Sequence, residues 1–209
     1  MKNFTHQPSI SDSNVFTGVQ FSEIDNMNII LRSEGVSKVS SSYLLIGGGM
    51  NFIYGKHYVH FKGHGALNDP EKDLNNFRTS AWGFGGGITY GYGFGLSQFR
   101  LVPYVGLTND ELIIEIEELP IANSNIQTQI QNQNITKLHN EVFSAVIGLR
   151  ILIPTDMETM FAGFDFGYHI PYRREWSNGD FSTTNTPNLN VGGFTLGIEI
   201  LFTTDNNSW

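Results

Sequence analysis

The sequence predicts an all-β fold in which eight antiparallel strands close into an up-and-down transmembrane barrel. Three observations point to it. Large apolar side chains recur at every second residue in eight segments, which is the period of strands with two unlike faces. The connections between these segments alternate between long and short. Charged side chains fall on the faces opposite the apolar ones, where they avoid lipid.

The last segment, 192–202, shows the alternation most clearly. From Phe194 to Phe202 every second residue is large and apolar. The residues between them are Thr195, Gly197, Glu199 and Leu201. One face of this strand therefore suits lipid, and the other suits a crowded interior.

Seven earlier segments have the same period of two. They lie near residues 15–22, 44–54, 57–67, 81–90, 98–107, 143–153 and 164–170. Long connections follow the first, third, fifth and seventh segments, whereas the others are followed by short turns. Bacterial outer-membrane barrels have short periplasmic turns, long extracellular loops and an even number of strands. We therefore divide the chain into a polar N-terminal segment (1–13), the barrel (14–202) and a polar tail (203–209).

The fifth segment changes its pattern beyond Thr108. Leu112, Ile114 and Ile116 then alternate with acidic residues, so that the apolar side chains occupy the previously polar phase. A slip of one residue exchanges the two faces of a strand. The sequence therefore predicts a bulge after Thr108, followed by a ribbon that stands above the membrane.

The composition fits a membrane barrel and excludes some functions. Charged residues make up 15% of the chain, against about 25% in ordinary soluble domains. A formal charge of −8 argues against nucleic acid as a partner. There is no cysteine, which excludes disulfides and thiolate metal sites. We expect no cofactor.

The N-terminus does not have the pattern of a secretory leader. Polar residues follow Phe4, without an apolar core of about 7–15 residues. Because an outer-membrane protein needs a leader, we expect that it has been removed and that Met1 replaces it. A cytosolic chain is the competing interpretation. The uncharged stretch 79–99 is too rich in glycine to predict a membrane-spanning helix.

The final strand also resembles the C-terminal targeting signal of bacterial outer-membrane barrels, through Thr195, Gly197, Ile200 and Phe202. The run 103–106, Pro-Tyr-Val-Gly, is similar to a recurrent motif of porin-like barrels. The chain thus resembles the small eight-stranded outer-membrane barrels of the opacity and surface-antigen type and the membrane domain of outer-membrane protein A. The resemblance implies location in a bacterial outer membrane and contact with its lipid and lipopolysaccharide.

A set of ionisable side chains lies on the predicted inner faces. It comprises Lys62, Arg100, Arg150, Asp165, Glu199, His60, His64 and His169. Because an eight-stranded barrel is only wide enough for side chains to fill it, we expect these groups to pair with one another. A gated ion path that uses the same charges is the functional alternative. The neighbouring glycines of 83–87 would leave room inside the barrel.

Metal binding and catalysis have weaker support. His60, Lys62 and His64 share a face, but a metal site needs three or four converging ligands. His139 and Ser144 are too far apart on one strand to form a nucleophile and its base. We therefore expect satisfied interior residues and predict neither a metal site nor a catalytic one.

Aromatic residues are predicted to mark both membrane interfaces. Those near the short turns are Tyr54, Tyr58, Tyr90, Tyr92 and Phe94, and those near the long loops are Trp82, Tyr168 and Tyr172. The long loops are the expected contact surface for host or envelope proteins, and Arg173, Arg174 and Trp176 are candidate contacts.

Three functions remain open: a surface structural or interaction protein, a narrow channel for ions or small solutes, and an envelope-lipid-modifying enzyme. Periodicity alone does not say which face is inside, because a soluble barrel of the lipocalin kind would reverse the two faces. Crowded glycine-rich faces, interface aromatics, the unequal connections and the final strand favour the membrane barrel. Among the functions, the interaction protein is the leading hypothesis.

Overall fold

A computed structural model describes the structure of residues 9–36, 38–68, 71–72, 77–96, 98–118, 135–155, 157, 160–178, 181–182 and 190–202. Eight long strands form the barrel. They are β1 (Ser9–Glu23), β2 (Ser42–Tyr54), β3 (His57–Leu67), β4 (Phe77–Tyr92), β5 (Arg100–Glu118), β6 (Ile135–Pro154), β7 (Met160–Asn178) and β8 (Asn190–Phe202). Three two-residue strands, Glu71–Lys72, Phe94–Gly95 and Phe181–Ser182, extend β4, β5 and β7 at their edges.

Every long strand pairs antiparallel with its neighbours in the sequence, and β8 pairs with β1. The last pairing closes the sheet, which leaves no free edge at the level of the belt of exposed apolar side chains described below. The connections alternate as predicted, from the two-residue turn at Gly55, whose φ is +61°, to the long connection 24–41. The prediction of a closed eight-stranded up-and-down barrel is confirmed.

The orientation of the two faces is confirmed as well. Ile198 is 55% exposed and Phe166 44% exposed, whereas Glu199 is 2% and Arg150 3% exposed. The exposed apolar side chains form a band around the barrel, here called the belt. It includes Val15, Ile46, Met50, Phe61, Phe84, Ile88, Val105, Leu107, Ile147, Phe164, Phe166, Leu196, Ile198 and Ile200. A continuous apolar band on the outside of a closed sheet is the defining feature of a transmembrane β-barrel.

The predicted bulge after Thr108 is wrong. β5 pairs with β4 and with β6 without a register shift, and its even-numbered residues from Val102 to Ile114 are buried or half-buried. What changes beyond Thr108 is the environment, because an apolar cluster fills the interior there and the outer face meets water. The bulges occur elsewhere. One lies on β7 at Tyr172, opposite Phe143 and Ser144. A second lies on β1 between Ile10 and Asp12, and a third lies on β8 between Asn190 and Gly193, opposite Ser22 and Glu23.

The N-terminal part of the barrel also differs from expectation. β1 begins at Ser9, so residues 9–13 of the segment predicted to be polar belong to the sheet. The connection between β1 and β2 contains a helix, α1 (Asp25–Ser33), which the sequence reasoning did not predict. Among the described residues no helix is long and apolar enough to cross a membrane. The N-terminal residues 1–8 and the tail, 203–209, lie outside the described residues.

Candidate functional site

An ion cluster occupies the middle of the lumen and is built around Arg150 of β6. Its Nε lies 2.7 Å from Oε1 of Glu199 on β8, and its Nη2 lies 3.4 Å from Oδ2 of Asp165 on β7. Nη1 donates a hydrogen bond to Oδ1 of Asn51 at 3.3 Å. Four strands thus meet through one guanidinium, whose planar fork suits several acceptors at once.

Neutral side chains complete this cluster. Asn14 donates to the second oxygen of Glu199 at 2.7 Å, and the Tyr104 hydroxyl donates to Oδ1 of Asp165 at 2.5 Å. His60 Nδ1 lies 2.7 Å from Arg150 Nη2. Because a guanidinium only donates, this nitrogen of His60 must accept, and the ring proton is therefore on Nε2, which faces Asn14. His60 is a neutral member of the cluster.

Glycines opposite these side chains leave room for them. A Cβ at Gly163 would lie 2.4 Å from Cγ of Glu199, and one at Gly148 would lie 2.3 Å from the Tyr104 ring. A Cβ at Gly85 would lie 2.1 Å from the Asp110 carboxylate. The glycines on the inner faces therefore give space to the side chains of the lumen, as predicted for 83–87. Gly86 is an exception, because it belongs to the outer face.

A second polar cluster lies nearer the long-loop end, around Asp110 of β5. His64 Nε2 is 3.1 Å from one carboxylate oxygen, and His169 Nδ1 is 3.9 Å from the other. The Thr108 hydroxyl lies 3.2 Å from the same nitrogen of His169. Lys62, together with His64 and His169, lines a cavity of about 30 Å³ between the two clusters. Asp110 was not predicted as an interior residue, because a bulge after Thr108 would have turned its side chain to the outer face.

The predicted interior charges thus do not form one site. Arg150, Asp165 and Glu199 lie together, and His60 joins them, whereas His64 and His169 belong to the Asp110 cluster. Arg100 lies at the short-turn end, where its guanidinium donates to the Tyr58 hydroxyl. Asn14, Asn51 and Tyr104 were not predicted as partners, although each lies on an inner face of its strand.

Apolar layers close both ends of this polar lumen. At the short-turn end the layer consists of Ile53, Tyr58, Val102, Leu152, Phe161 and Leu201. At the long-loop end a larger cluster consists of Ile24, Met27, Leu31, Val36, Val39, Tyr43, Leu45, Ala66, Ala81, Leu112, Ile114 and Val142. Among the described residues, the charged groups are therefore enclosed rather than open to water at the ends.

The connection 24–41, here called the cap, supplies five residues of the apolar cluster at the long-loop end, here called the outer apolar layer. Ile24, Met27 and Leu31 follow the i, i+3, i+7 spacing of one helix face, and that face is buried in the barrel mouth. Asn28 fixes the returning chain by donating to the Val39 carbonyl at 2.9 Å and accepting from its N–H at 2.7 Å. Ile29, on the opposite face of α1, is 65% exposed.

Beyond the belt, β4–β7 continue as a four-stranded ribbon, defined here by residues 77–83, 109–118, 135–142 and 173–178. Its outer face is charged. Glu115 and Lys137 lie directly opposite each other on β5 and β6, 2.7 Å apart. His139 Nδ1 contacts Glu111 at 2.9 Å. The Lys137 ammonium, which donates a hydrogen bond to Glu115, lowers the pKa of that carboxyl below its usual value.

The predicted loop contacts are strand residues of this ribbon. Arg173 is exposed and pairs with Glu175, while Arg174 is half-buried on the inner side. The side chain of Trp176 and the predicted loop 119–134 lie outside the described residues. Arg173 and Arg174 therefore point to opposite sides and do not form one contact site.

The other predictions about sites have mixed outcomes. Tyr54, Tyr90, Phe94, Trp82, Tyr168 and Tyr172 are exposed near the ends of the belt. Tyr58, in contrast, is 2% exposed and points inward, so the prediction that it is one of the aromatic residues at the membrane interface is wrong. His139 faces outward and Ser144 inward on β6, so they do not form a catalytic pair. Among the described residues no group of three His, Asp or Glu side chains is arranged to hold a metal ion.

No protein-family model matches the chain, and no curated protein matches it in sequence. Several solved structures, however, are similar to it in fold. A major outer membrane protein from Thermus thermophilus superposes with a TM-score of 0.54 at 11% identity, covering 92% of this chain and 99% of that one. The N-terminal β-barrel domain of Pseudomonas aeruginosa OprF gives 0.41 at 14% identity, covering 94% and 98%. Ail, the attachment invasion locus protein of Yersinia pestis, gives 0.46 at 8% identity, covering 94% and 100%. The Thermus thermophilus structure, whose TM-score is above 0.5, shows that the chain has the fold of an outer-membrane β-barrel.

Proposed function

We propose that this transmembrane barrel is an anchor in a bacterial outer membrane and that the ribbon and the long connections form a surface for interaction with other proteins. The observation that carries the proposal is the contrast between the lumen and the ribbon. The lumen is packed, internally paired and closed by an apolar layer at each end. The ribbon extends past the belt and carries charged groups on its outer face.

The packing of the lumen supports a structural role for its charges. Each described charge of the Arg150 cluster has an opposite charge within 3.4 Å, and Asn14 and Tyr104 add hydrogen bonds to the two carboxylates. A buried ion cluster of this kind stays in place because breaking it leaves an uncompensated charge. An anchor benefits from such a rigid interior, whereas an ion path needs groups that exchange partners.

The ribbon supports the interaction role through its accessibility. Glu115, Glu117 and Lys137 lie on an outer face that is directed away from the lumen and beyond the belt. Exposed charges on a rigid sheet steer and select partners more than they add raw affinity. The barrel strands hold that sheet at a fixed orientation relative to the membrane.

The test compares binding by cells that display the parent chain with binding by cells that display a charge-reversed ribbon. The probe is a panel of immobilised host-cell surface proteins and envelope proteins. The ribbon variant Glu115→Lys/Glu117→Lys is expected to bind its partner about tenfold more weakly, which corresponds to about 1.4 kcal/mol. The matched control, Asp156→Lys/Glu158→Lys, makes the same charge change in the short connection between β6 and β7. Parent cells that bind the panel no better than cells without the protein would refute the proposal.

A narrow channel is the second candidate, because the lumen contains Lys62 and a polar cavity. Planar bilayers distinguish it from the anchor. The anchor predicts no discrete openings by the parent protein. Openings that disappear when Arg150 or Glu199 is replaced would favour the channel instead. The proposed role requires no catalysis, so envelope lipid incubated with the purified protein is expected to remain unchanged.

A further inference from the structure

We propose that His64, Asp110 and His169 form a site that binds a single proton inside the barrel. The two oxygens of Asp110 each face one imidazole, His64 Nε2 at 3.1 Å and His169 Nδ1 at 3.9 Å. All three side chains are 10% exposed or less. The proposal goes beyond the anchoring role, since it involves neither the outer face of the ribbon nor a partner.

The balance of fixed charges explains why a proton belongs there. The cations Arg150 (β6) and Lys62 (β3) balance Asp165 (β7) and Glu199 (β8). Asp110 is then the remaining carboxylate of the two clusters, and among their described residues no further Lys or Arg neutralises it. A buried carboxylate without a counter-charge is costly. An imidazolium beside it removes that cost.

The neighbouring groups assign the proton to one ring. His60 cannot hold it, because its Nδ1 accepts a hydrogen bond from Arg150. The Thr108 hydroxyl lies 3.2 Å from Nδ1 of His169, so the nitrogen of that ring nearest to Asp110 already has a neutral partner. His64 is closer to Asp110 than His169 is, by the distances above, and therefore receives the proton. Phe16 and Gln20 of β1, which also line this space, are not ionisable.

The site is limited to one proton by its surroundings. If both rings were protonated, two imidazoliums would share a single carboxylate, with the Lys62 ammonium in the same cavity. Two groups that interact this strongly titrate as a pair and not independently. The cavity of about 30 Å³ has room for about two water molecules. Such waters could pair with Nδ1 of His64 and Nε2 of His169, which have no partner among the described residues.

The experiment uses the whole chain, labelled with ¹⁵N-histidine, in detergent micelles. Ring nitrogen spectra are recorded from about pH 9 to about pH 4, which brackets the ordinary titration of imidazole. His64→Gln and His169→Gln assign the two signals. While the barrel remains folded, as judged by heat-modifiable migration in electrophoresis, we expect one imidazolium from this pair, on His64.

Substitution of the carboxylate completes the test. Asp110→Asn is expected to abolish the imidazolium signal, whereas the control Glu111→Gln, on the outer face of the same strand, leaves it unchanged. Two imidazoliums in the folded barrel, none at any pH, or a signal that survives in Asp110→Asn would each overturn the proposal. If Asp110→Asn does not fold, the histidine variants decide, because the proposal requires the signal to be lost in His64→Gln and kept in His169→Gln.

Discussion

The part of the barrel within the belt and the part above it use one backbone with opposite polarity. On β5 and β6, the belt region has Val105 and Ile147 outside and Arg150 inside. In the ribbon, the same pair of strands has Glu115 and Lys137 outside, while apolar residues lie inside. The register does not change between the two regions. The difference arises because lipid surrounds the first region and water surrounds the second.

The comparison teaches that a change of polarity along a strand reports its surroundings and not its register. Within lipid, the apolar side chains face out and the polar ones are satisfied inside. Above the lipid, the ordinary arrangement of a soluble sheet returns, with an apolar core under a charged surface. The cap makes this possible, because α1 supplies apolar side chains to the core under the charged surface.

Breaking the ion cluster of the belt region is expected to have the largest effect. Arg150→Met removes the cation that directly contacts Glu199 and Asp165 and leaves Lys62 alone to balance two buried carboxylates. Removal of one partner of a buried pair costs about 3–5 kcal/mol. The measurement is urea unfolding in detergent micelles. In the triple variant Arg150→Met/Asp165→Asn/Glu199→Gln, the loss is expected to be smaller than in the single variant, because no buried carboxylate of this cluster is left without its guanidinium partner.

The exposed pair Arg173–Glu175 serves as the matched control for that prediction. It has the same chemistry, but both side chains are more than half exposed. Arg173→Met is therefore expected to leave the unfolding midpoint unchanged. Equal losses for Arg150→Met and Arg173→Met would mean that the lumen is as well hydrated as the outer surface, contrary to the comparison.

A charge on the outer face tests where lipid ends. Ile147 and Ile135 are on the same face of β6 and are 50% and 48% exposed. Ile147→Arg, in the belt, is expected to cost about 2–4 kcal/mol, because a guanidinium then faces the bilayer interior. Ile135→Arg, in the ribbon, is expected to change stability by about 0.5 kcal/mol or less. Folding into lipid vesicles at increasing urea measures the stability of both variants. Equal losses of stability would show that the boundary of the belt is not between these two residues.

The cap provides the next test. Leu31→Ala removes a side chain that is 4% exposed from the outer apolar layer and is expected to cost about 2–3 kcal/mol. The loss is expected to be concentrated in the cap, so hydrogen exchange at the amides of 24–36 accelerates while exchange within the belt does not. Ile29→Ala, on the exposed face of α1, is the control and leaves exchange unchanged. Accelerated exchange throughout the barrel would show that the two regions unfold as one unit.

The sequence predicted the strands and their faces because a period of two and the exclusion of charge from lipid act on every strand alike. It did not predict which interior groups pair. Arg150 and Glu199 are on strands that are not neighbours, and their contact depends on how the sheet closes. The cap left a signal that was overlooked, the spacing of Ile24, Met27 and Leu31. Nine residues are too few for a helix to be stable without tertiary packing. The helix therefore depends on its packing against the apolar cluster in the barrel mouth.

The false bulge on β5 has a more general cause. A period of two fixes the phase of a strand relative to itself, and the assignment of the apolar phase to lipid holds only inside the bilayer. The residues beyond Thr108 kept the phase and changed the surroundings. A test of charge content distinguishes the two cases, because Glu111, Glu115 and Glu117 on one face already indicate contact with water.

The smallest effect is expected for the ribbon pair Glu115–Lys137, and it depends on pH. The hydrogen bond from Lys137 lowers the pKa of Glu115 in the folded chain. The pair therefore contributes stability above the unfolded-state pKa of glutamate, about 4.3, and the contribution is lost as the pH falls through the folded value. Because both side chains are solvated, Lys137→Met is expected to cost about 0.5 kcal/mol or less at neutral pH and nothing in acid. NMR titration of the Glu115 carboxyl checks this by an upward shift of its pKa in Lys137→Met. An unchanged titration would mean that water screens the pair completely, even though the strands align the two groups.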